Sequence, residues 1–82
     1  MIRRPYPTEK EIRSVKDSYP KGCRVELVRM EDPFVNIPPG TRGTVTGVDD
    51  IGTIHVAWDT GHHLGIALME DECRRVDKKY GI

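Results

Sequence analysis

Residues 43–68 read Gly-Thr-Val-Thr-Gly-Val-Asp-Asp-Ile-Gly-Thr-Ile-His-Val-Ala-Trp-Asp-Thr-Gly-His-His-Leu-Gly-Ile-Ala-Leu, and their punctuation decides the fold. Thr53–Trp58 alternates strictly: Ile54, Val56 and Trp58 fall on one face, His55 and Ala57 on the other, which is the period of a half-buried strand. Asp49-Asp50-Ile51-Gly52 before it and Asp59-Thr60-Gly61 after it carry the residues of tight turns. Gly43–Val48 is strand-like on the near side, with Val45 set between Thr44 and Thr46. His62–Leu68 returns on the far side, with Leu64, Ile66 and Leu68 sharing a face. Three strands in tight succession form a meander.

Working outward, Arg24–Met30 begins by alternating, with Val25 and Leu27 opposed to Glu26. Val28 and Met30 then switch the apolar face, which predicts a bulge or a strand covered on both sides. Between this strand and the meander lies Glu31–Thr41, a long loop that holds Pro33, Pro38 and Pro39 and is excluded from the middle of a sheet by its missing amide donors. Beyond the meander, Met69–Glu72 reads as a charged turn and Cys73–Val76 as a short last strand. Before Gly22 the period changes. Thr8-Glu9-Lys10-Glu11 fits a capping box, Ile12, Val15 and Tyr19 follow on one helical face, and Pro20 with Gly22 stops the helix. The apolar stripe is narrow, so the helix is expected to persist by docking on the strands or on a second copy, as an element attached to the barrel core.

One helix followed by about five short strands, in 82 residues, leaves room for a single bent sheet. The expected fold is mainly β: a small SH3-like barrel over residues 20–77, preceded by a basic arm and amphipathic helix over 1–19 and followed by a loose tail over 78–82. A five-stranded OB-like barrel is the alternative, less favoured because it needs longer strands and an internal helix. No apolar run approaches the roughly 20 residues that span a bilayer. Met1-Ile2-Arg3-Arg4-Pro5 leads into charged sequence, so a cytoplasmic protein is expected, with no membrane partner. Cys23 and Cys73, in no CxxC spacing, then read as partly buried thiols.

The 13 bases and 13 acids are unevenly placed. Residues 1–24 hold seven bases and three acids, 25–73 two bases and nine acids, and 74–82 four bases and one acid. Basic ends either fold back on an acidic body or mark a partner site with a sign.

Several longer strings resemble a small family. Tyr19-Pro20-Lys21-Gly22-Cys23-Arg24-Val25-Glu26-Leu27, Ile37-Pro38-Pro39-Gly40-Thr41-Arg42-Gly43-Thr44-Val45, Val48–Val56 and Trp58-Asp59 with Gly61 and Leu64-Gly65 together resemble an uncharacterised domain carried on phages, plasmids and conjugative elements. The resemblance covers about Tyr19–Arg75. It implies an SH3-like barrel and a mobile-element origin, and no particular activity. A bacterial defence protein would be a natural target for such an element.

Chemistry is sparse. Ser14 and Ser18 lie on or beside the helix, outside any nucleophile elbow, and there is no P-loop, GxGxxG or zincin pattern. His55, His62 and His63 read as surface histidines; His62 and His63 point to opposite faces of a strand, and no metal or cofactor is expected. Asp49, Asp50 and Asp59 read first as turn aspartates that bond nearby amides, and second as acidic contacts for a partner.

The functional expectation therefore rests on the loop. Phe34, the chain's one phenylalanine, stands with Val35, Asn36 and Ile37 in a segment stiffened by Pro38 and Pro39. Either it caps the open end of the barrel or it is an exposed anchor. Trp58 carries a similar pair of readings, as core or as a partly exposed indole at a strand end. The expected site comprises Phe34, Val35, Asn36, Pro38, Pro39, Arg42, Trp58 and Asp59, with the acidic turn Asp49-Asp50 beside it. The expected function is a non-enzymatic recognition module for a host or element protein. The alternatives are an oligomeric binder of a signalling nucleotide, served by Arg24, Arg42 and the basic arms, and a weak nucleic-acid-binding KOW-like barrel. A homo-oligomer is compatible with each.

Overall fold

The computed structural model describes residues 7–30, 37–68 and 70–76. Helix α1 spans Glu9–Ser18, and five strands follow: β1 Arg24–Arg29, β2 Arg42–Val48, β3 Ile54–Trp58, β4 His63–Ile66 and β5 Glu72–Arg75. The sheet order is β4-β3-β2-β1-β5, with every neighbouring pair antiparallel. A four-strand meander thus runs outward, and the chain returns to lay β5 along the other side of β1. This is the mainly-β, small barrel-like sheet expected from the turn spacing, with one helix ahead of it. Among the described residues the sheet stays open, with β4 and β5 at its two ends.

Local chemistry explains each element. The capping box closes as its sequence requires: Glu11 N donates to Thr8 Oγ1 at 3.1 Å, and Thr8 N donates to Glu11 Oε1 at 2.7 Å. At the β2–β3 turn the Asp49 carboxylate accepts from Ile51 N (3.1 Å) and Thr53 N (2.9 Å), while Gly52 takes φ +85°. The other meander turn is closed by Trp58 N to His62 O and Gly61 N to Trp58 O, both 2.8 Å. The predicted bulge appears where Val28 sits, between the Leu27–Cys73 and Arg29–Glu72 partners of β1 and β5. Strand β4 is shorter than the apolar pattern predicts. Ala67 N donates to Asp71 Oδ2 and Ala67 O accepts from the amides of Glu70 and Asp71, so the chain turns away from the ladder after Ile66.

The inward residues form one cluster: Val15, Cys23, Val25, Leu27, Ile37, Val45, Ile54, Val56, Trp58, Ile66 and Cys73. The helix is more than an attachment, because Val15 is part of that cluster and Tyr19 packs against it. Tyr19 also donates its hydroxyl to Cys73 O (3.4 Å), Arg75 Nη1 donates to Ser18 O (3.0 Å), and Lys16 pairs with Asp50 at 3.2 Å. Arm residues 1–6 and tail residues 78–82 lie outside the described residues.

Cys23 and Cys73 are buried thiols with no disulfide. Register explains this: Cys73 stands opposite Leu27, so Cys23 is offset along the β1–β5 ladder, and a disulfide needs Cα atoms within about 7 Å.

Close packing at one glycine gives a sharp test. A Cβ on Gly43 would lie 2.6 Å from Val56 Cγ1 and 2.8 Å from Ala57 O, whereas one on Gly47 would meet nothing within 4 Å. Gly43→Ala should cost about 1–3 kcal/mol in denaturant unfolding through overpacking. Gly47→Ala should stay within about 0.5 kcal/mol. Equal effects would mean that the β2–β3 packing is wrong.

The Cys73 thiol gives a pH test. Burial, with smaller contributions from Cys23 and Glu72, pushes it up to about 11 from its ordinary 9. The unfolded chain releases this proton first, so the stability that comes from burying the neutral thiol is intact below pH 9. It declines as pH rises from about 9 to 11. Cys73→Ala should therefore make the alkaline fall in unfolding free energy shallower by up to one proton, and an unchanged slope would contradict this burial.

Candidate interaction surface

Alternation that buries Val25 and Leu27 must turn Arg24 and Glu26 outward on β1. Arg42 and Thr44 do the same on β2, and Arg74 on β5. Register then brings them together. Glu26 lies opposite Arg42 on one side and Arg74 on the other; Arg24 lies opposite Thr44. The Glu26 carboxylate is shared, Oε1 accepting from Arg42 Nε and Oε2 from Arg74 Nη2, each at 3.3 Å. These two contacts, Arg74 first, hold the Glu26 carboxyl below the usual range. The Glu26 side chain is 20% exposed, those of Arg42 and Arg74 55% and 63%.

Beside this trio, Arg24 grips Asp59 with both terminal nitrogens, at 2.8 and 2.6 Å, and also donates to Thr44 Oγ1 at 3.0 Å. The Arg24 hydrogen bond is the main cause that lowers the Asp59 pKa. Asp59 thus clamps a strand across the sheet, and the local turn bond expected of it is replaced by a bidentate ion pair.

The described end of the long loop runs directly into the trio. Ile37 is buried in the core, and Pro38, Pro39 and Gly40 are exposed. The turn is tied down by Thr41 Oγ1 to Pro38 O (2.7 Å), Gly40 N to Leu27 O and Leu27 N to Thr41 O (both 2.8 Å). Val28, turned out by the bulge beside this anchor, is 38% exposed. The result is a strip from Pro38-Pro39 and Val28 to Arg42, Glu26 and Arg74.

The expected site residues divide. Pro38, Pro39 and Arg42 belong to the strip. Phe34, Val35 and Asn36 lie outside the described residues. Trp58 is 3% exposed and donates Nε1–H to Leu64 O at 3.1 Å, so it is a core residue with no ring face to offer. Asp49 is spent on its turn and on His55 Nε2 at 2.9 Å. Burial raises its pKa, but the His55 bond and the two backbone amides outweigh that and hold its carboxyl low. Asp50 faces the helix through Lys16. The outer side of β5-β1-β2 carries Arg24, Arg42 and Arg74 together with Glu26 and Glu72, and Asp59 reaches Arg24 from beyond the end of β3, because charge sorts by strand face and not by segment. Glu26, Arg74 and Val28 were not among the expected site residues, although alternation in Arg24–Arg29 already turned Glu26 outward and the break in period already marked Val28.

Other chemistry stays unassembled. His55 and His63 share the outer face through the β3–β4 register, and His62 Nδ1 lies 2.8 Å from Thr60 Oγ1. Among the described residues no group of three or more His, Cys, Asp or Glu is placed to hold a metal ion, and no helix is long and apolar enough to cross a membrane. Two open hollows of about 320 and 340 Å³ flank α1, lined by Glu9, Ile12, Arg13, Lys16 and Asp50, and by Glu11, Ser14, Val15 and Leu68.

No curated protein and no solved structure matches the chain. One family model does, a domain of unknown function (DUF4314), over residues 8–76. Its limits fall at the N-cap of α1 and at Val76, whose amide donates to Arg24 O just past β5, so helix and sheet are one family unit. The chain belongs to this DUF4314 family.

Proposed function

We propose that the chain is a non-enzymatic recognition module that binds a protein partner along the strip from Pro38-Pro39 and Val28 to Arg42, Glu26 and Arg74. The observation that carries this reading is the continuity of that strip on stiff backbone. Exposed prolines and an outward valine are pinned by the Leu27 backbone pair and adjoin exposed arginines held on paired strands. Apolar anchors on a preorganised surface lose little entropy on binding, and arginine is favoured at such contacts. Three reactive groups are otherwise engaged: Asp49 in its turn, Asp59 with Arg24, and Cys73 as a buried thiol whose pKa is pushed up to about 11. Under the resemblance to mobile-element domains, the partner is a cytoplasmic host or element protein, and interference with a bacterial defence protein is the role such an element would use.

A photo-crosslinking residue placed at Pro39 or Arg74 should give a protein adduct in producing cells, and one at Arg13, on the helix, should give none. Val28→Asp and Pro39→Asp should each lower the adduct yield at least about threefold, while changing stability by no more than about 0.5 kcal/mol as surface substitutions. Adducts at Arg13 alone would move the site to the helix.

A further inference from the structure

We infer that the partner offers an acidic, extended segment, whose carboxylates at positions i and i+2 are taken by Arg42 and Arg74. This deepens the recognition reading and rests on it. Among the described residues the geometry leaves both guanidinium groups under-used. A guanidinium carries five N–H donors in a fixed fork. Arg42 spends Nε and Arg74 spends Nη2 on Glu26, each at a long 3.3 Å, and both side chains remain more than half exposed. One carboxylate between two guanidinium groups leaves the trio with net charge +1. Glu26 gives one oxygen to each arginine from a mostly buried side chain, so it acts as a positioning residue that holds the two forks on either side of β1.

Neighbouring strands lie about 4.8 Å apart, so Arg42 and Arg74 start roughly 10 Å apart across β1 and lean inward toward Glu26. Alternate side chains of an extended segment are about 7 Å apart on one face, which suits that convergence. Val28, Pro38 and Pro39 provide the apolar contact that lets such a segment bind as more than a point charge. Arg24 adds no capture site, because Asp59 and Thr44 already occupy its fork.

A nucleic acid fits this face less well. Phosphate affinity grows with the number of cations neutralising the backbone, and here Glu26 and Asp59 interleave with the arginines. Complementary charge with apolar flanks favours a peptide.

Selection of a random peptide display library on the whole chain tests the inference. Enriched peptides should carry Asp or Glu at i and i+2. Changing those acids to Gln or Asn, or making the Arg42→Gln/Arg74→Gln double variant, should weaken binding at least about tenfold while the thermal melt is retained. Single Arg42→Lys and Arg74→Lys variants, which keep the charge and lose the fork, should fall between. Enriched peptides without paired acids, or with binding indifferent to the double variant, would overturn the acidic inference and leave the recognition reading standing. No enriched peptide at all, or none beside clear binding of a short oligothymidylate, would overturn both.

Discussion

Strand β1 is the element on which the rest of this small domain depends. It is hydrogen-bonded to β2 on one side and to β5 on the other, and beyond their register its Leu27 backbone fixes the end of the long loop at Gly40 and Thr41. Its inward residues, Val25 and Leu27, are at 0% and 1% exposure, among the deepest of a core with few members. Its outward residues, Arg24 and Glu26, are the hubs of both arginine–carboxylate contacts on the outer face. One alternating hexapeptide therefore builds the core with one face and the candidate surface with the other. A slip of one residue would exchange them, burying a carboxylate and exposing the core.

How far this was legible in the sequence follows from which interactions are local. The Thr8–Glu11 box, the turn at Gly52 and the alternation in Thr53–Trp58 are decided within a few residues, and all three appear where the pattern predicts. The Val28 bulge was legible too, as a break in period. The contacts that make the candidate surface are of another kind. Glu26 meets Arg42 from 16 positions away and Arg74 from 48, and only the pairing of β1 with both neighbours brings them together. Pooling charge along the chain hid this, since the same segment sends alternate residues to opposite faces. Trp58 was ambiguous for a related reason. A strand end is wet or dry according to what crosses it, and here the Leu64 carbonyl gives the indole N–H a partner that lets it stay inside.

The uneven charge of the chain resolves in space. The basic first segment reaches the acidic middle through Lys16–Asp50 and Arg24–Asp59, and the basic last segment reaches it through Arg74–Glu26. Self-complementarity thus accounts for part of the layout. It does not exhaust the outer face, where Arg42 and Arg74 each take one oxygen of a single carboxylate and both stay more than half exposed.

That imbalance bears on why such a face can be specialised at all. Exposed ion pairs contribute about 0–1 kcal/mol to folding, so the sheet does not need Arg42 or Arg74 to persist. The inner face is constrained in the opposite way: Gly43 cannot accept even a methyl group without displacing Val56, and Cys73 sits where ionisation is opposed. A domain of this size has little core to spare, so variation that serves a partner is confined to positions whose side chains the fold leaves unspent. Glu26 is the instructive intermediate. It is mostly covered, yet its hydrogen-bond partners are two solvent-exposed arginines, so its work is to hold the two forks rather than the strands. In that position a carboxylate orders cations at little energetic cost to the fold, which is what the proposed capture of a partner's acids would require.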